Sequence, residues 1–193
     1  MVLPEHSVVS QGGLAASYAL MPEAEALELA RRHYGLTGRL DRLATEKDDT
    51  FRVENGDGQR FILKVANPSE DVVEISCQLG VLQHLAARDP RLPVPRIITD
   101  TAGNDQFTYH DNAGQHRQVR LLSYLEGTPL SEFVVTPAER ERIGETLGRL
   151  RLALADFAHP ADGRVLAWDV KHLLQLGSLL DSIDDREHRA MLA

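Results

Sequence analysis

Residues 60 to 85 read RFILKVANPSEDVVEISCQLGVLQHL, and this stretch decides the fold. Phe61 to Val65 is a run of strand-forming residues. In an extended chain side chains alternate faces, so Phe61, Leu63 and Val65 point one way and Ile62 and Lys64 the other. Lys64 is the one charge inside an otherwise apolar strand. Asn67 is expected to cap the following helix, with Pro68 at its first position and Glu70 reaching back to the cap. Val72, Ile75, Leu79, Leu82 and Leu85 recur at helical spacing and define its apolar face. Gln78 falls on that face, and Glu74 one turn earlier lies beside it. A lysine so placed is either a snorkelling side chain at a sheet edge or a charge kept for a ligand.

Length and composition bound the reading. The 193 residues suffice for one large domain or two small lobes, and 42% hydrophobic content supplies a sizeable core. A net charge of -8 argues against a nucleic-acid partner bound by phosphate neutralisation. It leaves a nucleotide pocket open, since that needs only a local positive group. The single cysteine, Cys77, permits no intrachain disulfide and fits a reducing compartment. It reads as filler in a packed helix, with no partner that would make it a nucleophile. The start, MVLPEHSVVSQGG, lacks the basic and apolar regions of a signal peptide, and no segment reaches the length of a membrane span. A cytoplasmic location with no membrane contact is expected.

In chain order, residues 1–20 read as a loose lead-in and 21–125 as an α+β lobe. Glu23 to Tyr34 is a predicted helix started by Pro22 and closed by Gly35, with Leu27, Ala30 and Tyr34 as its buried stripe. Gly38 to Thr45 and Phe51 to Val53 are predicted strands, and Glu54-Asn55-Gly56-Asp57-Gly58 turns the chain back into the Lys64 strand. Arg96 to Thr99 and Gln118 to Leu125 complete about five strands, and the turn signals in Thr101 to Asn112 allow a short hairpin there. Glu126 to Leu130 reads as a break between lobes, and residues 126–193 as the hinge and first helices of a helical lobe. There, Thr136-Pro137-Ala138-Glu139 is a capping box opening a helix to about Phe157. Its stripe is Ile143, Leu147, Leu150, Leu154 and Phe157. A further helical piece is expected from Val165 through Leu180, and Asp184 and Asp185 should cap one more helix, in which the chain stops at Ala193. Such an end leaves Leu147, Leu150 and Leu154 short of cover, so self-association through the helical half is expected.

No Walker loop, HExxH, CxxC pair or GxSxG occurs. His110, Asp111 and His116 fall in a turn-rich loop that reads as solvated rather than metal-binding. A strand lysine followed by a helix with a polar group facing back is an arrangement that grips phosphate. The order of elements extends it: FILKVANPSED at 61–71, QLGVLQHL at 78–85, PVPR at 93–96, VRLLSYLEGTPL at 119–130 and the Trp168-Asp169 pair. In these residues the chain resembles the N-terminal part of the aminoglycoside phosphotransferase and choline kinase superfamily, whose fold is protein-kinase-like. Within it, the chain is most similar to the hydroxylysine-kinase-like branch. The resemblance runs from about Ala24 nearly to the end.

That resemblance implies ATP or GTP with Mg2+ bound between two lobes in a longer parent, and a small hydroxyl acceptor. Glu46 to Phe51 would form the loop over the phosphates, so Asp49, Thr50 and Phe51 enter as nucleotide-binding residues. Lys64 would grip the α- and β-phosphates. Gln78, helped by Glu74, would orient that lysine in place of the family's helix glutamate, or both simply flank the helix. Ser123, Tyr124 and Leu125 would be the hinge reading adenine, or merely the end of an inner strand. The family's His-Gly-Asp loop, which holds the catalytic aspartate, is missing; His159-Pro160-Ala161-Asp162-Gly163 comes too early and in the wrong order. The chain itself is thus expected to hold no catalytic residue and no protein metal ligand, and to bind no nucleotide tightly. The rival expectation is a non-catalytic interaction or regulatory module on the same fold.

Overall fold

The structure, a computed structural model, describes residues 17–132, 134–164, 169–171, 174, 177, 180 and 183–192. The expectations for residues 1–16, for Val165 to Trp168 and for most of the helical piece to Leu180 lie outside the described residues. One compact unit runs from Tyr18 to Asp162, past the expected break at 126–130. A second unit includes residues 163 onward and holds helix α4, Arg186–Leu192. Asp185 caps α4, accepting from Glu187 N at 2.8 Å and His188 N at 3.0 Å.

The first unit is α+β. Its strands are β1 (Gly38–Leu43), β2 (Asp49–Asn55), β3 (Arg60–Val65), β4 (Ile97–Ile98), β5 (Phe107–His110) and β6 (His116–Ser123). All pair antiparallel in the order β1-β2-β3-β6-β4, with β5 also on β6. The sixth strand, β5, comes from the turn-rich stretch. There Phe107 and Tyr109 alternate with Thr108 and His110, and the aromatic pair packs against the core.

Helix α1 spans Glu23–Tyr34, as its punctuation predicts, and ends on Gly35 at φ 67°, a left-handed position that suits glycine. Its buried residues are Glu25, Ala26, Leu29 and Ala30, while Leu27 and Tyr34 are half-buried. Two apolar stripes overlap on this helix, and docking on the sheet selects one. Ala26, Leu29 and Ala30 cover Phe51, Val53, Leu63, Val65, Val119 and Leu121. Each large side chain so buried stabilises the fold by about 1.5–3 kcal/mol.

Helix α2 is Val72–Arg88, and its cap corrects the expectation. Asp71, not Asn67, is the N-cap, accepting from Val73 N at 2.7 Å. Asn67 instead closes a tight turn, accepting from Ser69 N at 2.9 Å through its side chain and from Glu70 N at 2.9 Å through its carbonyl. Both residues are good caps; Asn67 is 3% exposed, drawn inward where the strand ends, so the turn claims it. The helix buries Ile75, Cys77, Leu79 and Leu85, while Val72, in its first turn, is 48% exposed.

Helix α3, Pro137–Ala153, begins with the predicted capping box at Thr136 and Glu139. Its stripe is not fully buried: Ile143, Leu150, Leu154 and Phe157 are half-buried and Leu147 is 59% exposed. The helix meets α2 near its C-terminal end, where Arg149 holds Asp89 at 2.6 Å and His84 Nε2 lies 2.9 Å from the Ala153 carbonyl. That contact reaches the last turns and leaves Leu147 open.

Several carboxylates are tied into this fold. Hydrogen bonds from the Asn104 backbone and side chain, and from Ala102 N, hold the Asp100 carboxyl below its ordinary value. Burial pushes Asp111 up, but bonds from Gln115 and the Arg117 charge outweigh it and the net shift is down. A group with a depressed folded value contributes stability above its unfolded value, about pH 4, and loses it as pH falls through the folded value. Urea midpoints are therefore expected to hold steady between neutrality and about pH 5 and to fall below about pH 4. A midpoint unchanged well below pH 4 would contradict this.

Candidate functional site

In an antiparallel sheet, directly opposed residues share a face. Thr50, Lys64 and Arg120 are register partners across β2, β3 and β6, so they form one row on the face opposite α1. The loop 44–48 between β1 and β2 turns Asp48 over this row. Lys64 Nζ lies 3.2 Å from Asp48 Oδ2, and Arg120 Nη2 lies 3.4 Å from the same oxygen. Asp48 Oδ1 accepts from Asn67 N at 3.3 Å. Lys47 pairs with Glu70, so the loop is strapped twice to the segment after β3.

From α2, Gln78 Oε1 accepts from Arg120 Nη2 at 2.9 Å. Lys64 takes its ion pair from the loop, and Gln78 serves Arg120. A neutral amide cannot balance an ammonium, whereas the Asp48 carboxylate can. Glu74 is half-buried on the same helix. Arg120 is 2% exposed, and burial pulls its guanidinium below the ordinary value against the pull of Asp48 and Glu70. Its Nη1 is buried with no hydrogen-bond partner among the described residues, as is Thr50 Oγ1 at the other end of the row.

The phosphate-loop expectation changes in position. Asp49, Thr50 and Phe51 lie in β2, not in the loop, because β2 starts two residues earlier than Phe51. Phe51 is fully buried under α1. Asp49 is 1% exposed and points to the α1 face, where it pairs with Arg117 at 2.9 Å and with Arg42. Only Thr50 of the three stands in the Lys64 row. At the other end of the sheet, Ser123 N donates to the Arg96 carbonyl at 2.8 Å and Tyr124 N to the Arg60 carbonyl at 3.3 Å. The N–H groups of these two are taken by neighbouring chain. Leu125 is 47% exposed.

Two residues escaped the sequence reading. Asp48 enters the sequence reading only as part of the Glu46 to Phe51 loop, since no local pattern marks it as a partner of Lys64. Arg120 carries the same signal as Lys64, a charge inside an apolar alternation (Val119-Arg120-Leu121). His159, outside any His-Gly-Asp loop, docks on α2, with Nε2 3.5 Å from Ser76 Oγ.

Comparison with known proteins defines the class. Residues 42–192 match the APH phosphotransferase enzyme family, and the chain belongs to it. Within that family it is similar to hydroxylysine kinase of Danio rerio, 29% identical over 146 residues, which are 72% of this chain and 41% of the kinase. The fold is that of the amicoumacin kinase hAmiN, solved with AMP-PNP, Ca2+ and Ami, at TM-score 0.62 and 18% identity over 86% of this chain and 48% of that one. A microcompartment-associated aminopropanol kinase gives TM-score 0.58 at 24% identity, over 77% of this chain and 46% of that one. The chain thus spans less than half the length of these relatives. No helix among the described residues is long and apolar enough to cross a membrane.

Proposed function

We propose that the chain is the nucleotide-handling portion of a small-molecule kinase, whose full-length form transfers the γ-phosphate of ATP or GTP to a hydroxyl. The observation that carries this is the row of Lys64 and Arg120 with one carboxylate, Asp48, between them. Two cations and one anion leave a net positive spot in a chain of net charge -8, which suits a phosphate oxygen. Asp48 takes the orienting part that a helix glutamate would otherwise have, and Arg120, itself bonded to Gln78, holds Asp48 from behind. The acceptor class, an alcohol on an amine-bearing molecule, is supported by what the similar hydroxylysine and aminopropanol kinases are named for.

Magnesium, when bound with the nucleotide, would offset the charge of its phosphates; among the described residues no group of three or more His, Cys, Asp and Glu side chains is gathered to hold it. Calorimetry with Mg-ATP is accordingly expected to give weak or undetectable heat, and amino-alcohol acceptors no turnover. Lys64 can still be read directly, because the chain has only three lysines, Lys47, Lys64 and Lys171. Millimolar Mg-ATP should slow amine labelling of Lys64, followed by mass spectrometry, and leave Lys171 unaffected. Equal labelling with and without nucleotide would count against the reading. Turnover lost on Lys64→Ala would place a catalytic aspartate in this chain after all. The rival, a non-catalytic module, draws on the missing His-Gly-Asp loop; it predicts no protection of Lys64.

A further inference from the structure

The β5–β6 hairpin carries a second cluster, unrelated to the Lys64 row. His110 and His116 are register partners at its closed end, and their Nε2 atoms lie 2.6 Å apart. Both residues are exposed. They share the outer face of the hairpin with Thr108 and Gln118, which are themselves bonded at 2.7 Å. Phe107 and Tyr109 alternate with Thr108 and His110 and pack the other face against the core.

The turn between the two histidines is fixed. Asp111 N donates to the Gln115 carbonyl at 3.0 Å, and Gly114 N to the Asp111 carbonyl at 2.9 Å. The Asp111 carboxylate accepts from Gln115 N and Nε2, each at 2.7 Å, and from Arg117 at 3.3 Å. Asp111 therefore faces away from the imidazoles and locks the backbone that presents them.

Two imidazole nitrogens this close cannot both carry a proton toward each other. They share one proton, or they share another cation. Nitrogens bound to one tetrahedral zinc ion lie about 2.0–2.1 Å from it, hence about 3.3 Å from each other. The ring centroids lie 3.7 Å apart with planes at 63°, so opening the nitrogens by about 0.7 Å and turning the exposed rings to converge makes the pair a chelate. Because the site is exposed, a bound ion keeps its remaining water ligands and pays no burial cost. Neutral imidazole suits zinc, copper and nickel, and the net charge of -8 favours any cation.

We propose that His110 and His116 form a two-nitrogen chelating site for a first-row divalent cation of the zinc, nickel and copper class, completed by water. The site does not depend on the nucleotide reading. The test is calorimetric titration of the tag-free chain with zinc chloride, and separately nickel chloride, in a non-coordinating buffer. The expected result is one ion per chain, weakened at least about tenfold by His110→Asn and again by His116→Asn. His188→Asn, an exposed change in α4, should leave it unchanged. Circular dichroism should be identical for all, since both histidines stand outside the core. No uptake by the wild-type chain, or uptake retained in the double His110→Asn/His116→Asn variant, overturns the proposal.

Discussion

Arg117→Met is expected to destabilise the chain by about 3–5 kcal/mol, the cost of breaking a buried ion pair from one side. Arg117 is fully buried on the α1 face of β6. It holds Asp49 at 2.9 Å and Asp111 at 3.3 Å, and donates to the carbonyls of Val65 and Ala66. Its guanidinium also lies 4.8 Å over the Tyr18 ring. One side chain thus joins the start of the unit, the ends of β2 and β3, and the β5–β6 turn. Without it, two buried carboxylates keep only Arg42, on Asp49, as a cationic partner among the described residues. The Arg117→Met/Asp49→Asn/Asp111→Asn variant removes the charges together and should recover part of the loss. Urea unfolding measures all of these. A loss under about 1 kcal/mol for Arg117→Met would show the network to be marginal.

Arg120→Met should behave in the opposite way, although Arg120 is nearly as buried and only three residues on. Three positions along a strand reverse the face, so Arg120 stands in the Lys64 row. Its partners are fewer, Gln78 at 2.9 Å and Asp48 at 3.4 Å, and Nη1 has none among the described residues. Replacing an incompletely satisfied buried charge with an apolar side chain is often neutral. Stability is expected to stay within about 1 kcal/mol of wild type. What changes is Asp48, which loses its rear support and loosens its hold on Lys64. Lys64 is 28% exposed and Asp48 11%, so their pair is worth about 1 kcal/mol, equivalent to a roughly five- to tenfold rise in Lys64 amine labelling when it is lost. Asp48→Asn should give the same rise and Arg120→Lys should restore protection. Lys171, 63% exposed, is the internal reference. If all three lysines speed up together, Arg120 is merely structural; if none does, Asp48 does not position Lys64.

Much of this architecture was legible in the residues. The alternation around Lys64 placed that lysine on the face opposite Leu63, and Pro22 and Gly35 bounded α1. Thr136 and Glu139 opened α3. The order of strand, turn, lysine strand and helix identified the family. These features are local: they depend on backbone propensity and side-chain period, which neighbours in sequence determine. Partnership is different, since it depends on which face meets which after packing. No spacing rule says that Asp48, sixteen positions before Lys64, will be its counter-ion, or that Gln78 will serve Arg120 instead. The same holds for Asp49, read as a loop residue yet buried against Arg117, 68 positions away. His110 and His116 read as a solvated loop until the register of β5 on β6 set their nitrogens side by side. Period and capping decide what each segment is; charge pairing across a sheet is decided only when register and twist bring distant carboxylates and cations to one face.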